Sequence, residues 1–200
     1  MLLLLKSETH VDGHNRGSSW VHDYIRRAAK FAAYKHQGQT RKDGKTPYIS
    51  HPVRVANILG REAGVNDHEL IAASLLHDTL EDTHTTRDEL AAAFGRRVAD
   101  LVVELTNGNA RPNDKHAWQL AHELSAGAAM IKIADKTANL RDIITAPPVK
   151  WSAEKKRRYF EQARELVQKI GEAHQGLADL FEATYLDGVA KIAQANCNKL

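Results

Sequence analysis

The stretch LLHDTLEDT, residues 75–83, sets His77, Asp78, Glu81 and Asp82 directly behind two leucines. Ending an apolar face in ionisable groups costs several kcal/mol unless they are paired or bound to a cation. Residues four apart share a helix face, so His77 lies over Glu81 and Asp78 over Asp82 if the helix continues. An adjacent His-Asp pair offers one nitrogen and one oxygen to a single ion, and two ligands alone make a weak site. The chain holds two further candidates. His51 opens a helix in YISHPVRVA, and Asp135 interrupts MIKIADKTANL, where Ile131, Ala134, Ala138 and Leu140 mark burial. Asn139 follows Asp135 by one turn and Asp142 by almost two, so three polar side chains run along one line of an apolar helix.

Each residue alone has an ordinary explanation. His51 could be a cap or a satisfied core histidine, Asp135 could pair with Lys132 or Lys136, and Glu81 and Asp82 could be a solvated helix end. Together, H…HD…D on three apolar helices is hard to explain without a divalent cation. A carboxylate within hydrogen-bond reach of a water can orient it or take its proton, which is chemistry open to Glu81 and Asp82. The loop TRKDGK places Arg41, Lys42 and Lys45 just before His51. Arg and Lys clamp phosphate oxygens, which suits a phosphorylated substrate; the competing reading is a solvated charged loop.

The elements that must position these residues are helices. WVHDYIRRAAKFAAYKHQG has helical spacing and stops at Gly38, and Ser50 is expected to cap HPVRVANILGREAG with Pro52 in its first turn. Asn66 or Asp67 caps HELIAASLLHD, a Thr caps RDELAAAFG, and RRVADLVVELT follows. After the polar NGNARPND come DKHAWQLAHEL and AAMIKIADKTANLRDII, the latter closed by Pro147 and Pro148. Ser152 caps a helix to Ile170, and LADLFEATYLDGVAKIAQA is the last. No segment alternates with period two, so the predicted class is all-α, a single helical domain over 20–196. Residues 1–19 read as a loose extension and 197–200 as a tail.

Composition narrows the field. Two hundred residues with 42% hydrophobic content suit one domain, and a net charge of +3 is too mild to argue for nucleic acid. A single cysteine excludes an internal disulfide framework, no apolar run approaches a membrane span, and Met1–Leu5 is too short for a secretory signal. The expected location is the cytoplasm. A homo-oligomer is compatible with the sequence, which does not read out oligomeric state.

Three blocks, RKDGKTPYISHPVRVA, LLHDTLEDT and IKIADKTANLRDI, resemble the hydrolase domain of RelA/SpoT-type alarmone enzymes, an HD-superfamily helical fold. The resemblance runs from about Tyr24 to about Leu166. It implies that His51, His77, Asp78 and Asp135 ligate a metal, Mn²⁺ in this family, and that Glu81 and Asp82 handle the attacking water. It also implies that Arg41 and Lys42 lie against the base and phosphates, that Asn139 contacts the ribose, and that Tyr159 helps hold substrate. Lys155, one turn before Tyr159, is the candidate for a distal phosphate. The implied reaction removes the 3′-pyrophosphate of ppGpp or pppGpp. Alternatives are another phosphorylated nucleotide (ppApp, or NADPH), or a sensor that binds alarmone without cleaving it. The stretch LTNGNARPNDKHAWQLAHELSAG matches the family only loosely, and Trp118 within it could stack on a base, although a core or surface tryptophan is the commoner explanation. The chain has no counterpart of the synthetase, which suggests a stand-alone hydrolase.

Overall fold

A computed structural model describes residues 16–106 and 124–197. Among these residues the regular structure is helical, with one isolated antiparallel bridge between Thr40 and Pro47. The helices are α1 (Arg16–Lys35), α2 (Ser50–Asn57), α3 (His68–Leu76), α4 (Thr79–Asp82), α5 (Arg87–Phe94), α6 (Arg96–Leu105), α7 (Ala126–Thr145), α8 (Ala153–Ile170) and α9 (Gln175–Cys197). A π-turn, Ile58–Glu62, extends α2, and one 3₁₀ turn, Gly171–Ala173, joins α8 to α9. None of the described helices is long and apolar enough to cross a membrane.

The all-α expectation holds, and α7 is the reason the helices converge. Ala128, Ile131, Ile133, Ala134, Thr137, Ala138 and Leu140 are buried around nearly its whole circumference. A helix apolar all round must be covered on every side. Helix α7 accordingly packs against α2, α6, α8 and α9, while α3 bridges α1, α2 and α6. Its single deeply buried carboxylate, Asp135, therefore faces the interior of the bundle.

Expected caps are found at Asp67, which accepts from the Glu69 and Leu70 N–H groups, and at Thr86 and Ser152. Arg97 also pairs with Asp67 and, with those N–H groups, holds its carboxyl down to about 2. That stabilisation is present above the ordinary carboxylate pKa and is lost as pH falls from about 4 toward 2.

Three expectations need correction. Ser50 does not cap α2: Ile49 is already helical, Ser50 is the first helical residue, and its hydroxyl is buried without a hydrogen-bond partner. A cap at 50 would serve the N–H of residue 52 or 53; Pro52 has none, and Val53 N donates to the Ile49 carbonyl at 3.3 Å instead. Helix α3 ends at Leu76 instead of running through Asp78, and Thr79 Oγ1 donates to the Leu76 carbonyl at 2.6 Å, closing it. Helix α1 begins at Arg16, inside the stretch expected to be a loose extension, and α9 continues to Cys197. The expected helix DKHAWQLAHEL, apart from Leu124, and Trp118 lie outside the described residues, as do residues 1–15 and 198–200.

Helices α8 and α9 approach closely at Gly188. A Cβ there would lie 2.1 Å from Phe160 Cε1 and 3.1 Å from Ile144 Cδ1. Gly188→Ala is expected to destabilise the fold by about 1–3 kcal/mol through overpacking, read by urea denaturation.

Candidate active site

His51 is the second residue of α2, His77 and Asp78 form the break after α3, and Asp135 sits midway along α7. His51 Nε2 lies 3.1 Å from Asp135 Oδ1 and 3.8 Å from Asp78 Oδ2. His77 Nε2 lies 3.1 Å from Asp78 Oδ2 and 3.9 Å from Asp135 Oδ1. Two imidazole nitrogens and two carboxylate oxygens thus come together, and His51, His77 and Asp78 each offer one ligand atom within 4.8 Å of the others.

The tautomer of His77 tests whether a cation fits. His77 Nδ1 lies 2.8 Å from the Ser74 carbonyl, an acceptor only, so Nδ1 carries the proton. Nε2 then presents a lone pair to two carboxylates, buried and without a hydrogen-bond partner. Lone pairs facing carboxylate oxygens repel unless a proton or a cation stands between them. Separations of 3.1–3.9 Å suit ligands that each bind one ion at about 2.0–2.2 Å. A backbone carbonyl fixing the far nitrogen is the usual support for a metal-binding histidine.

Burial opposes a charge on His77, but Asp78 and then Asp135 raise its imidazole above the usual pKa, so without a cation these carboxylates draw a proton to the position an ion would take. Burial pushes the His51 imidazole below its usual pKa, favouring the neutral ligand form. Burial opposes the charge on Asp135, but the Lys136 ammonium, 3.1 Å from Asp135 Oδ2, and then His51 hold its carboxyl well below the carboxylate range. Asp78 is also held down, against burial, chiefly by His77.

Glu81 and Asp82 are exposed on α4, beside the cluster. The break after α3 leaves Asp78 in register with Asp82, whose N–H donates to the Asp78 carbonyl at 2.9 Å. Tyr48 lies 2.7 Å from Asp78 Oδ2 and 3.0 Å from Asp82 Oδ2. Burial, then the two carboxylates, push its phenol above the ordinary value, so it stays a donor.

The basic loop is a built turn, on which Lys42 and Lys45 are exposed. Asp43 Oδ1 accepts from the Lys45 and Thr46 N–H groups and Asp43 Oδ2 from the Thr46 hydroxyl at 2.5 Å, while Arg41 N donates to Thr46 O at 2.8 Å. Gly44, at φ +73°, supplies the left-handed residue the turn needs. This turn aims Arg41 and Lys42 into an open cleft of ≈ 460 Å³ that Asn139, Asp142, Trp151 and Tyr159 also line. Lys45 is exposed and lies outside that lining.

Asn139 joins the cleft to the cluster. Its amide donates to Asp135 Oδ1 at 2.6 Å, and its carbonyl accepts from Arg41 Nη2 at 2.7 Å. Asp142 Oδ2 receives Arg41 Nη2 and Nε at 2.9 and 3.1 Å, and its other oxygen pairs with Arg54. Lys42 and Lys155 place their ammonium groups 5.1 and 4.8 Å from the Trp151 ring centroid, which lies 5.5 Å from that of Tyr159, and Lys155, unlike Lys42, lies outside the cleft lining. Burial, then Arg41 and Lys136, lower the Lys42 pKa.

The sequence pattern missed Tyr48, Arg54 and Trp151; Lys136 was named as a possible partner of Asp135, and it pairs there. Asp142 was visible on its helix line, but its two arginine partners come from distant segments.

A helical bundle that brings two imidazoles and two carboxylates together beside a basic cleft holds a candidate metal site. The HD domain profile matches residues 28–166, and the chain belongs to the HD-domain family. Among its relatives, the guanosine-3′,5′-bis(diphosphate) 3′-pyrophosphohydrolase MESH1 of Mus musculus is 42% identical over 162 residues, covering 79% of this chain and 90% of that protein. MESH1 of Homo sapiens is 44% identical over 159 residues, covering 78% and 89%. The solved structure described as a metazoan ortholog of SpoT that hydrolyzes ppGpp superposes with TM-score 0.76 at 32% identity, covering 82% of this chain and 94% of that one. The resemblance drawn from the three sequence blocks is borne out.

Proposed function

We propose that this protein hydrolyses the 3′-pyrophosphate of ppGpp and pppGpp, giving pyrophosphate and GDP or GTP. The observation that carries this reading is Asn139, whose amide makes the cation cluster and the phosphate-binding cleft one continuous site. The activity named for the MESH1 relatives supports the choice of substrate.

His51, His77, Asp78 and Asp135 would hold the cation. Two imidazoles and two carboxylates form a harder set than a thiolate site, which favours Mn²⁺. When bound, a divalent cation there polarises a phosphoryl oxygen and lowers the pKa of water. Glu81 and Asp82 orient the attacking water and accept its proton. Water adds at the phosphorus attached to the ribose 3′ oxygen, that P–O bond breaks, and the 3′ oxygen leaves with a proton. Arg41 and Lys42 lie against base and phosphates, Asn139 meets the ribose, and Tyr159 and Trp151 form the opposite wall. Arg54 holds Asp142, which in turn fixes the Arg41 guanidinium. Lys155 takes the distal phosphate, and charge that builds in the transition state meets these fixed cations.

Purified protein incubated with ppGpp, ppApp and NADPH, each with Mn²⁺ and with EDTA, tests the reading. The expected result is metal-dependent GDP and pyrophosphate from ppGpp. Preferred turnover of ppApp or NADPH would keep the chemistry and change the substrate. Binding of ppGpp without turnover would make the protein a sensor.

A further inference from the structure

Tyr48 stands between two carboxylates that the reaction uses differently. The Asp78 oxygen it touches, Oδ2, is also the one facing both imidazoles, 3.1 Å from His77 Nε2 and 3.8 Å from His51 Nε2. A phenol has one proton to donate, and here two carboxylates compete for it. A cation drawing on the lone pairs of Asp78 Oδ2 weakens that oxygen as an acceptor. The proton is then left to Asp82, 3.0 Å away.

The phenol ring is held in place from behind. His36, 3% exposed, stacks on it with centroids 4.6 Å apart and planes at 28°. His36 Nδ1 lies 2.7 Å from Gln39 Oε1, and Gln39 Nε2 donates to the Asp82 carbonyl at 2.8 Å. Tyr48 N donates to the Gln39 carbonyl at 3.0 Å. One residue, Gln39, therefore ties down both the tyrosine backbone and the backbone of Asp82. Helix α4 spans four residues, so it depends on such outside ties for its position.

We propose that Tyr48 is a positioning residue: its hydroxyl commits its hydrogen bond to Asp82 when the cation binds, and so sets Asp82 toward the reacting water. The inference rests on the hydrolase reading for its effect on turnover, but the hydrogen-bond switch needs only the cation.

Tyr48→Phe keeps the ring and its stack on His36. It is expected to lower kcat about 10- to 100-fold, as loss of a group orienting a site residue does. KM should stay within about threefold of wild type, the signature of an interaction made in the transition state. In an Asp82→Asn background the same change should cost under about threefold, because the residue it acts through is already disabled. An unchanged kcat, or the full loss repeated in the Asp82→Asn background, would overturn the proposal.

A second readout needs no nucleotide. Adding Mn²⁺ to wild type should perturb tyrosine absorbance, and Tyr48→Phe should bind Mn²⁺ without that difference spectrum. A wild type that binds Mn²⁺ with no tyrosine signal would also overturn it. The signal present but ppGpp uncleaved would sink the hydrolase reading and leave the switch standing.

Discussion

Asp135→Asn is expected to strip the cation and lower turnover by roughly a thousandfold or more, with the helical fold retained. Asp135 is the most connected group of the cluster. Its Oδ1 faces His51 Nε2 at 3.1 Å and accepts from Asn139 at 2.6 Å, and its Oδ2 holds Lys136 at 3.1 Å. The amide keeps the shape but loses the negative charge, so two imidazoles, one carboxylate and the Lys136 ammonium face the ion. Isothermal titration with Mn²⁺ and circular dichroism on the same sample separate loss of the site from loss of the fold. Undiminished Mn²⁺ affinity in Asp135→Asn would show that α7 contributes no ligand.

The double change Glu81→Gln and Asp82→Asn should have the opposite signature. Turnover should fall by about 10²–10⁴, the range lost with a general base, while Mn²⁺ affinity stays near wild type. Both side chains are exposed on α4, outside the group of His51, His77 and Asp78. Asparagine at position 82 still offers an oxygen to the Tyr48 hydroxyl, so the ties on α4 persist. Affinity for a slowly hydrolysed ppGpp analogue should be unchanged, since the phosphate clamp is elsewhere. Loss of cation together with activity would place one of the two carboxylates on the ion.

The residues of the cluster were legible because ionisable side chains interrupted apolar helical spacing. Helix α7 announced itself by Ile131, Ala134, Ala138 and Leu140, and Asp67, Thr86 and Ser152 were readable as caps. The break between α3 and α4 was not legible, since LLHDTLEDT keeps a helical spacing throughout. It follows from a local competition, in which the Thr79 hydroxyl satisfies the Leu76 carbonyl that a continuing helix would have used. Tyr48 was hidden for another reason. Its partners Asp78 and Asp82 are 30 and 34 residues away, and a tyrosine in a polar loop carries no periodic signal. The same holds for Asp142, whose arginines stand 101 and 88 residues upstream. Tertiary hydrogen bonds of this kind have no trace in the spacing of a single element.

The proposed role of one cation, held by His51, His77, Asp78 and Asp135, in releasing the 3′-pyrophosphate is tested most directly by titrating exhaustively chelated protein with Mn²⁺ while pyrophosphate release from ppGpp is followed. No release is expected before addition, then a rise with added Mn²⁺ and, under tight binding, a break at about one equivalent per chain. Steady pyrophosphate release from the chelated protein, unchanged by Mn²⁺, would contradict it.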